Sequence, residues 1–157
     1  MNEKEIKINF TEFSSLDEMC AEDRELVNAS LKSIDGSYAP YSQFHVGAAV
    51  RLADGRIVTG ANQENAAFPS GLCAERTAMF AANANNPGIP MTSIAISAAY
   101  KGAIVGTPAS PCGSCRQVMA EYQKLAGRPI SIILYGSEVI YKFDRVDDLL
   151  PFIFDNI

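Results

Sequence analysis

The chain has 157 residues, 48% of them hydrophobic and 20% charged, with a net charge of −5. That length points to one domain, residues 1–157, able to bury about two thirds of its unfolded surface without disulfide staples. The acidic balance and the lack of Lys/Arg clusters argue against a nucleic-acid partner, whose phosphates are gripped mainly by cationic side chains.

The start, Met1-Asn2-Glu3-Lys4-Glu5, is charged and no apolar core follows it, so no signal peptide is expected. No run approaches the roughly 18 apolar residues of a membrane span, and a cytoplasmic location is expected. Ile6 to Phe10 alternates apolar and polar residues, the period of a half-buried strand. Ser15-Leu16-Asp17-Glu18 fits a capping box. It opens a helical run of Leu16, Met19, Cys20, Leu26, Val27, Leu31 and Ile34, stopped at Gly36. Cys20 falls on the apolar side of that run and reads as a buried core thiol.

Tyr38 to Phe44 is an aromatic, proline-interrupted connector. Val46 to Leu52 and Ile57 to Ala61 are β-rich runs, and Asp54-Gly55 between them signals a hairpin. Asn62 to Gly71 is a polar loop leading to an Ala-rich helix, Cys73 to Asn85, which Asn86-Pro87-Gly88 ends. Ser93 to Ala99 suits a central strand buried on both faces. A loop from Lys101 to Pro111 leads to a helix over about Cys115 to Leu125, broken at Gly127. Ile130 to Tyr135 and Val139 to Phe143 read as strands, and Val146 to Leu150 as a closing helical turn. This mixture predicts an α/β sandwich, with helix starts near one sheet edge.

Cys73, Cys112 and Cys115 carry the chemistry. In a reducing compartment, closely spaced thiols point to metal or redox chemistry rather than cross-links. Cys112-x-x-Cys115 turns two sulfurs to one point at a helix start, where partial positive charge lowers thiol pKa. Cys73, at another helix start, can supply a third. Three ligands leave zinc a position for water, whereas structural zinc usually takes four protein ligands. Glu75 follows Cys73 by two, beside the metal without having to bind it, and can move protons. Arg76 is a candidate to offset the negative charge of three thiolates, and Arg116 can share that role. His45, the lone histidine, reads as a surface or packing residue rather than a ligand.

The chain resembles the cytidine deaminases of the small, homotetrameric type whose zinc is held by cysteines alone. The matching segments are Tyr41 to Ala49, Asn62 to Ala66, Cys73 to Ala78, Ser110 to Gln117 and Leu149-Leu150-Pro151. The likeness covers about residues 24 to 154, with residues 1–23 as an N-terminal extension. It implies a three-layer α-β-α sandwich with a mixed five-stranded sheet. It implies one Zn²⁺ per subunit on Cys73, Cys112 and Cys115, with Glu75 as the proton shuttle. The substrate would be a pyrimidine nucleoside, cytidine or 2′-deoxycytidine, deaminated in pyrimidine salvage. Asn62 and Glu64 would grip the ribose, notably its 3′-hydroxyl, Phe44 would pack on the pyrimidine, and the Ala74 N–H would hold its carbonyl. Active sites would be shared between subunits through a C-terminal phenylalanine. Phe154, three after Pro151, is where it is expected, with Phe152 as the competitor. The tail after it is short, ending at Ile157. Phe68 stands where the family usually carries tyrosine, and so lacks a hydroxyl that would contact the sugar or the subunit interface.

Four rival readings remain at this level. Another free aminopyrimidine, such as blasticidin S, would use the same zinc core, and so would a nucleic-acid deaminase. A structural zinc module would need a fourth protein ligand. A thiol–disulfide enzyme built on Cys112 and Cys115 leaves Cys73 and Glu75 without work.

Overall fold

The computed structural model describes residues 1–155. Residues 156–157, the end of the short tail, lie outside the described residues. Seven strands and three long helices follow one another as β1 (Thr11–Phe13), α1 (Ala21–Ser33), β2 (Phe44–Leu52), β3 (Ile57–Ala61), α2 (Ala74–Asn85), β4 (Met91–Tyr100), β5 (Ala103–Ile104), α3 (Gly113–Ala126), β6 (Ser131–Tyr135) and β7 (Ile140–Phe143). The sheet runs β1-β7-β6-β4-β2-β3, with β5 hung on β4. Among the paired strands of the described residues, β4 and β6 are the parallel pair and the others are antiparallel.

Strand period divides the core in two. On β2, Ala48, Val50 and Leu52 face α2 and α3, with Ile94, Ile96, Ile132 and Leu134 beside them. The intervening Ala49 faces α1, with Ala95, Ile133, Leu26 and Val27. The three-layer α-β-α sandwich is therefore as expected, and β4 is buried along nearly its whole length.

The sheet has seven strands where five were expected. The two additions are the short edge pieces β1 and β5. The predicted strand over Ile6 to Phe10 is absent; pairing begins at Thr11 instead, opposite Lys142. The edge it meets, β7, is only four residues long. Phe10 lies just before the pairing, stacked on Phe143 and edge-on to Tyr141.

The first helix is also shorter than predicted. Leu16–Glu18 is a separate 3₁₀ turn, and α1 begins only at Ala21. Glu18 does reach back, accepting a bond from Ser14 N–H at 2.8 Å, but Ser15 makes no side-chain cap. Cys20 is consequently the exposed N-cap of α1, not a core residue. Met19 takes the buried place beside Leu26 and Val27. The chain breaks between two stretches that both bury apolar side chains, which is why the helical spacing ran on through the break.

Register gathers the site. β2 is antiparallel to both β3 and β4, pairing Gly47 with Ala61 and Phe44 with Tyr100. The start of β2 and the ends of β3 and β4 thus share one sheet edge. The chain leaves β3 for α2 and β4 for α3, so both helix starts come to that edge. Gly60 sets how closely α2 lies on the sheet: a Cβ there would stand 2.4 Å from Ala78 N and 2.9 Å from its Cα. Gly60→Ala must push α2 outward. Overpacking of this kind costs about 1–3 kcal/mol, so the urea midpoint should fall by roughly 1 M. A variant melting with the parent would refute the tight α2 contact.

Candidate metal centre and active site

Cys73 and Cys112 are the N-cap residues of α2 and α3. Cys115 lies one turn into α3 and is fully buried. Their three sulfurs lie within 4.8 Å of one another. Cys73 Sγ is 3.9 Å from Cys112 Sγ, which is 3.5 Å from Cys115 Sγ. A tetrahedral zinc with bonds of about 2.3 Å needs sulfurs about 3.8 Å apart, so this donor set fits that ion. Two helix N-termini converge here, each carrying about half a positive charge.

Arg76, three residues after Cys73 on α2, donates from Nη2 to Cys73 Sγ at 3.5 Å. Its Nε is buried and, among the described residues, unpartnered. The guanidinium is thus directed at sulfur. The hydrogen bond from Cys115, with those from Arg76 and Cys112, brings the Cys73 pKa down to about 5 against the penalty of burial. Cys115 moves the other way: its bond to the Cys73 sulfur and its burial hold its proton on. Arg116 does not join Arg76. Its Nε and Nη1 each donate at 2.8 Å, to the carbonyls of Pro111 and Leu149. It ties the loop before Cys112 to the C-terminal segment and faces no thiol.

Glu75 is 5% exposed, and among the described residues no cation is paired with it. Burial pushes its carboxyl pKa up, and the negative charge at Cys73 adds to the shift. It opens onto a cleft of about 310 Å³ bounded by Phe44, Asn62, Glu64, Cys73, Ala74 and Cys112. The Ala74 N–H belongs to the first turn of α2, where amides have no partner within the helix. A second hollow of about 310 Å³ shares Asn62, Glu64 and Cys73 and adds Phe68 and Arg76.

Glu64 is fixed from one side. Its Oε2 accepts the N–H groups of Tyr41 at 2.8 Å and Ser42 at 3.3 Å. A hydrogen bond from the Ser42 side chain, then these two amides and the charge of His45, lower its pKa against the opposing effect of burial. The following Gln43 has left-handed backbone, φ 57°, which costs a non-glycine residue about 1–2 kcal/mol. That turn carries the chain from the two amides into β2.

Six expected residues therefore meet around the thiols: Phe44, Asn62, Glu64, Ala74, Glu75 and Arg76. Phe154 and Phe152 do not border this cleft in their own chain. Both are largely exposed. Phe154 is held by its backbone, which exchanges bonds of 2.8 and 3.1 Å with the Gln117 side chain on α3. Phe68 is exposed and lies edge-on to Tyr41, with ring centroids 6.1 Å apart. Ser42, Val46, Ile96, Ala109 and Ser110 also line the cleft and were not singled out from sequence. Of these, Ser42, Val46 and Ser110 lie within the matching segments Tyr41 to Ala49 and Ser110 to Gln117, whereas Ile96 and Ala109 lie outside them. His45 stays outside the thiol cluster, bonded to Ser37 at 3.0 Å.

An α/β sandwich with three thiols at paired helix starts, and a buried glutamate beside them, defines the class of thiolate-metal hydrolytic sites that zinc deaminases use. The sequence model of the family described as "Cytidine and deoxycytidylate deaminase zinc-binding region" matches residues 20–126. A cytidine deaminase of Halalkalibacterium halodurans is 44% identical over 96 residues, 61% of this chain and 68% of its own. One from Mycobacterium tuberculosis is 35% identical over 120 residues, 74% of this chain and 77% of its own. The crystal structure of cytidine deaminase from Burkholderia pseudomallei superposes with a TM-score of 0.69 at 36% identity, covering 87% of this chain and 100% of that one. The chain belongs to the cytidine deaminase family of enzymes.

Proposed function

We propose that this protein is a zinc-dependent hydrolase that converts cytidine and 2′-deoxycytidine to the corresponding uridines and ammonia. The observation that carries the reading is the set of three converging sulfurs with the buried Glu75 opening onto the same cleft. Cys73, Cys112 and Cys115 hold one Zn²⁺ per subunit. When bound there, zinc supplies Lewis-acid activation of a water molecule.

The chain's own groups do the rest. Phe44 packs on the pyrimidine, and the Ala74 N–H donates to its carbonyl. Asn62 and Glu64 hold the sugar hydroxyls; the free Oε1 of Glu64 is the acceptor available to them. Glu75 accepts the proton that the attacking water loses and passes it to N3 as the C4–O bond forms. It then takes the proton of the new C4 hydroxyl and delivers it to the amino group; the C4–N bond breaks, the C4 carbonyl forms and ammonia leaves. Arg76 and the two helix N-termini offset the charge of three thiolates. Residues 1–157 act as one domain with 1–23 as an extension, in a cytoplasmic homotetramer serving pyrimidine salvage. Phe154, with Phe152 as its competitor, reaches a neighbouring subunit's site. Among the described residues no helix is long and apolar enough to cross a membrane.

Purified protein offered cytidine, blasticidin S and single-stranded DNA side by side should turn over cytidine. Activity should fall with chelator in step with loss of measured zinc. Turnover confined to blasticidin S or DNA would overturn the substrate, and full activity without zinc would overturn the mechanism.

A further inference from the structure

The hydrogen bonds around Asn62 fix every proton on a path leading away from the cleft. The Val46 N–H donates to Asn62 Oδ1 at 2.8 Å, and Asn62 Nδ2 donates to the Phe44 carbonyl at 2.9 Å. A backbone N–H can only donate and a carbonyl only accept, so the amide has one possible orientation. Ser37 Oγ lies 2.5 Å from the same Oδ1. An amide oxygen has no proton, so Ser37 donates, and its one proton is spent. His45 Nδ1 lies 3.0 Å from Ser37 Oγ and must be the donor of that bond. The neutral imidazole therefore carries its proton on Nδ1.

The main chain braces the same unit. Tyr38 N–H donates to the Asn62 carbonyl at 3.0 Å, and Asn62 N–H donates to that of Val46 at 3.1 Å. Of the side-chain amide's bonding positions, both oxygen sites and one nitrogen proton are used within the chain. Among the described residues one Nδ2 proton is left, on a residue that borders the cleft.

We propose that His45 is a positioning residue for sugar recognition. Through Ser37 it holds the Asn62 amide so that its last proton meets the 3′-hydroxyl of the bound nucleoside. This rests on the reading that Asn62 contacts the sugar. The physical need is specific. With the proton on Nε2, the bare Nδ1 would compete for the Ser37 proton, and Asn62 Oδ1 would lose a donor. Neither residue touches substrate; both act by keeping one amide in register.

His45 is the only histidine in the chain, so its tautomer can be read without assignment. A long-range ¹H–¹⁵N correlation on the metal-loaded protein, recorded with the ring in its neutral form, should show protonated Nδ1 and bare Nε2. The opposite tautomer overturns the proposal. Loss of one hydrogen bond of ordinary strength predicts that His45→Leu raises the KM for cytidine about tenfold, with kcat within about twofold. His45→Asn, which can place an N–H near the Nδ1 position, should recover most of that loss. With 3′-deoxycytidine the His45→Leu penalty should vanish. A His45→Leu penalty equal on both substrates, or none on either, overturns the proposal. Asn62→Ala run in parallel separates the two levels. If its own penalty is the same on both substrates, the sugar contact itself is wrong. If only Asn62→Ala is hydroxyl-specific, the relay through His45 alone is wrong.

Discussion

Replacing Glu75 by glutamine should leave the metal in place and lower kcat for cytidine by about 10²- to 10⁴-fold, the range a positioned general acid–base contributes. In barrier terms the loss is about 3–5 kcal/mol. Glutamine is the sharper probe because the position is buried. It keeps the volume and one acceptor oxygen but cannot accept a proton, whereas Glu75→Ala would also leave a cavity. Zinc should be retained in both, because the thiol cluster is complete without the carboxylate. Burial already pushes the Glu75 carboxyl pKa up, so it holds an accepted proton more readily than a free glutamate. That suits a group that must take a proton and give it back within one turnover. Zinc content and kcat measured on one preparation decide the matter. A glutamine variant within about tenfold of the parent would sink the shuttle role.

The thiols and Glu75 were legible in the sequence because their chemistry is local. Cys112 and Cys115 are one helical turn apart, and Glu75 sits two residues from Cys73 on a strong helix former. The long elements were legible for the same reason: β2, β3, α2 and β6 bury one face or both at a single period. What failed was set by distant partners. Ile6 to Phe10 alternates correctly, yet pairing begins at Thr11, opposite Lys142 in β7, more than 120 residues on. Cys20 lost its core place to an interruption of the helix at Met19 and Cys20 that leaves the apolar spacing intact. Arg76 and Arg116 both sit near ligands in sequence, but one meets a sulfur and the other the carbonyl of Leu149. Nothing local to Arg116 shows that acceptor. The His45–Ser37–Asn62 chain joins a strand, the segment after α1 and a loop, and only the folded register brings these together.

Cys112→Ala should abolish zinc binding and lower Tm, and the choice of cysteine makes the result readable. Cys115 is fully buried, so its truncation would confound metal loss with a packing defect. Cys112 is exposed, so alanine there removes little packing, and lost stability reports the metal. The three sulfurs join the starts of α2 and α3, and a ligand bound only by the folded chain stabilises it by mass action. With free zinc at a thousand times Kd the gain is about 4 kcal/mol, roughly 8–16 °C for a chain of this size. The parent treated with chelator should fall to the Tm of Cys112→Ala, and the variant should ignore chelator. Cys20→Ala is the control: that thiol is exposed, caps α1 without a side-chain bond and stands outside the cluster. It should keep zinc and lose little stability. A Cys112→Ala protein that still carries one equivalent of zinc, or a parent indifferent to chelator, would show that these sulfurs do not hold the structure's metal.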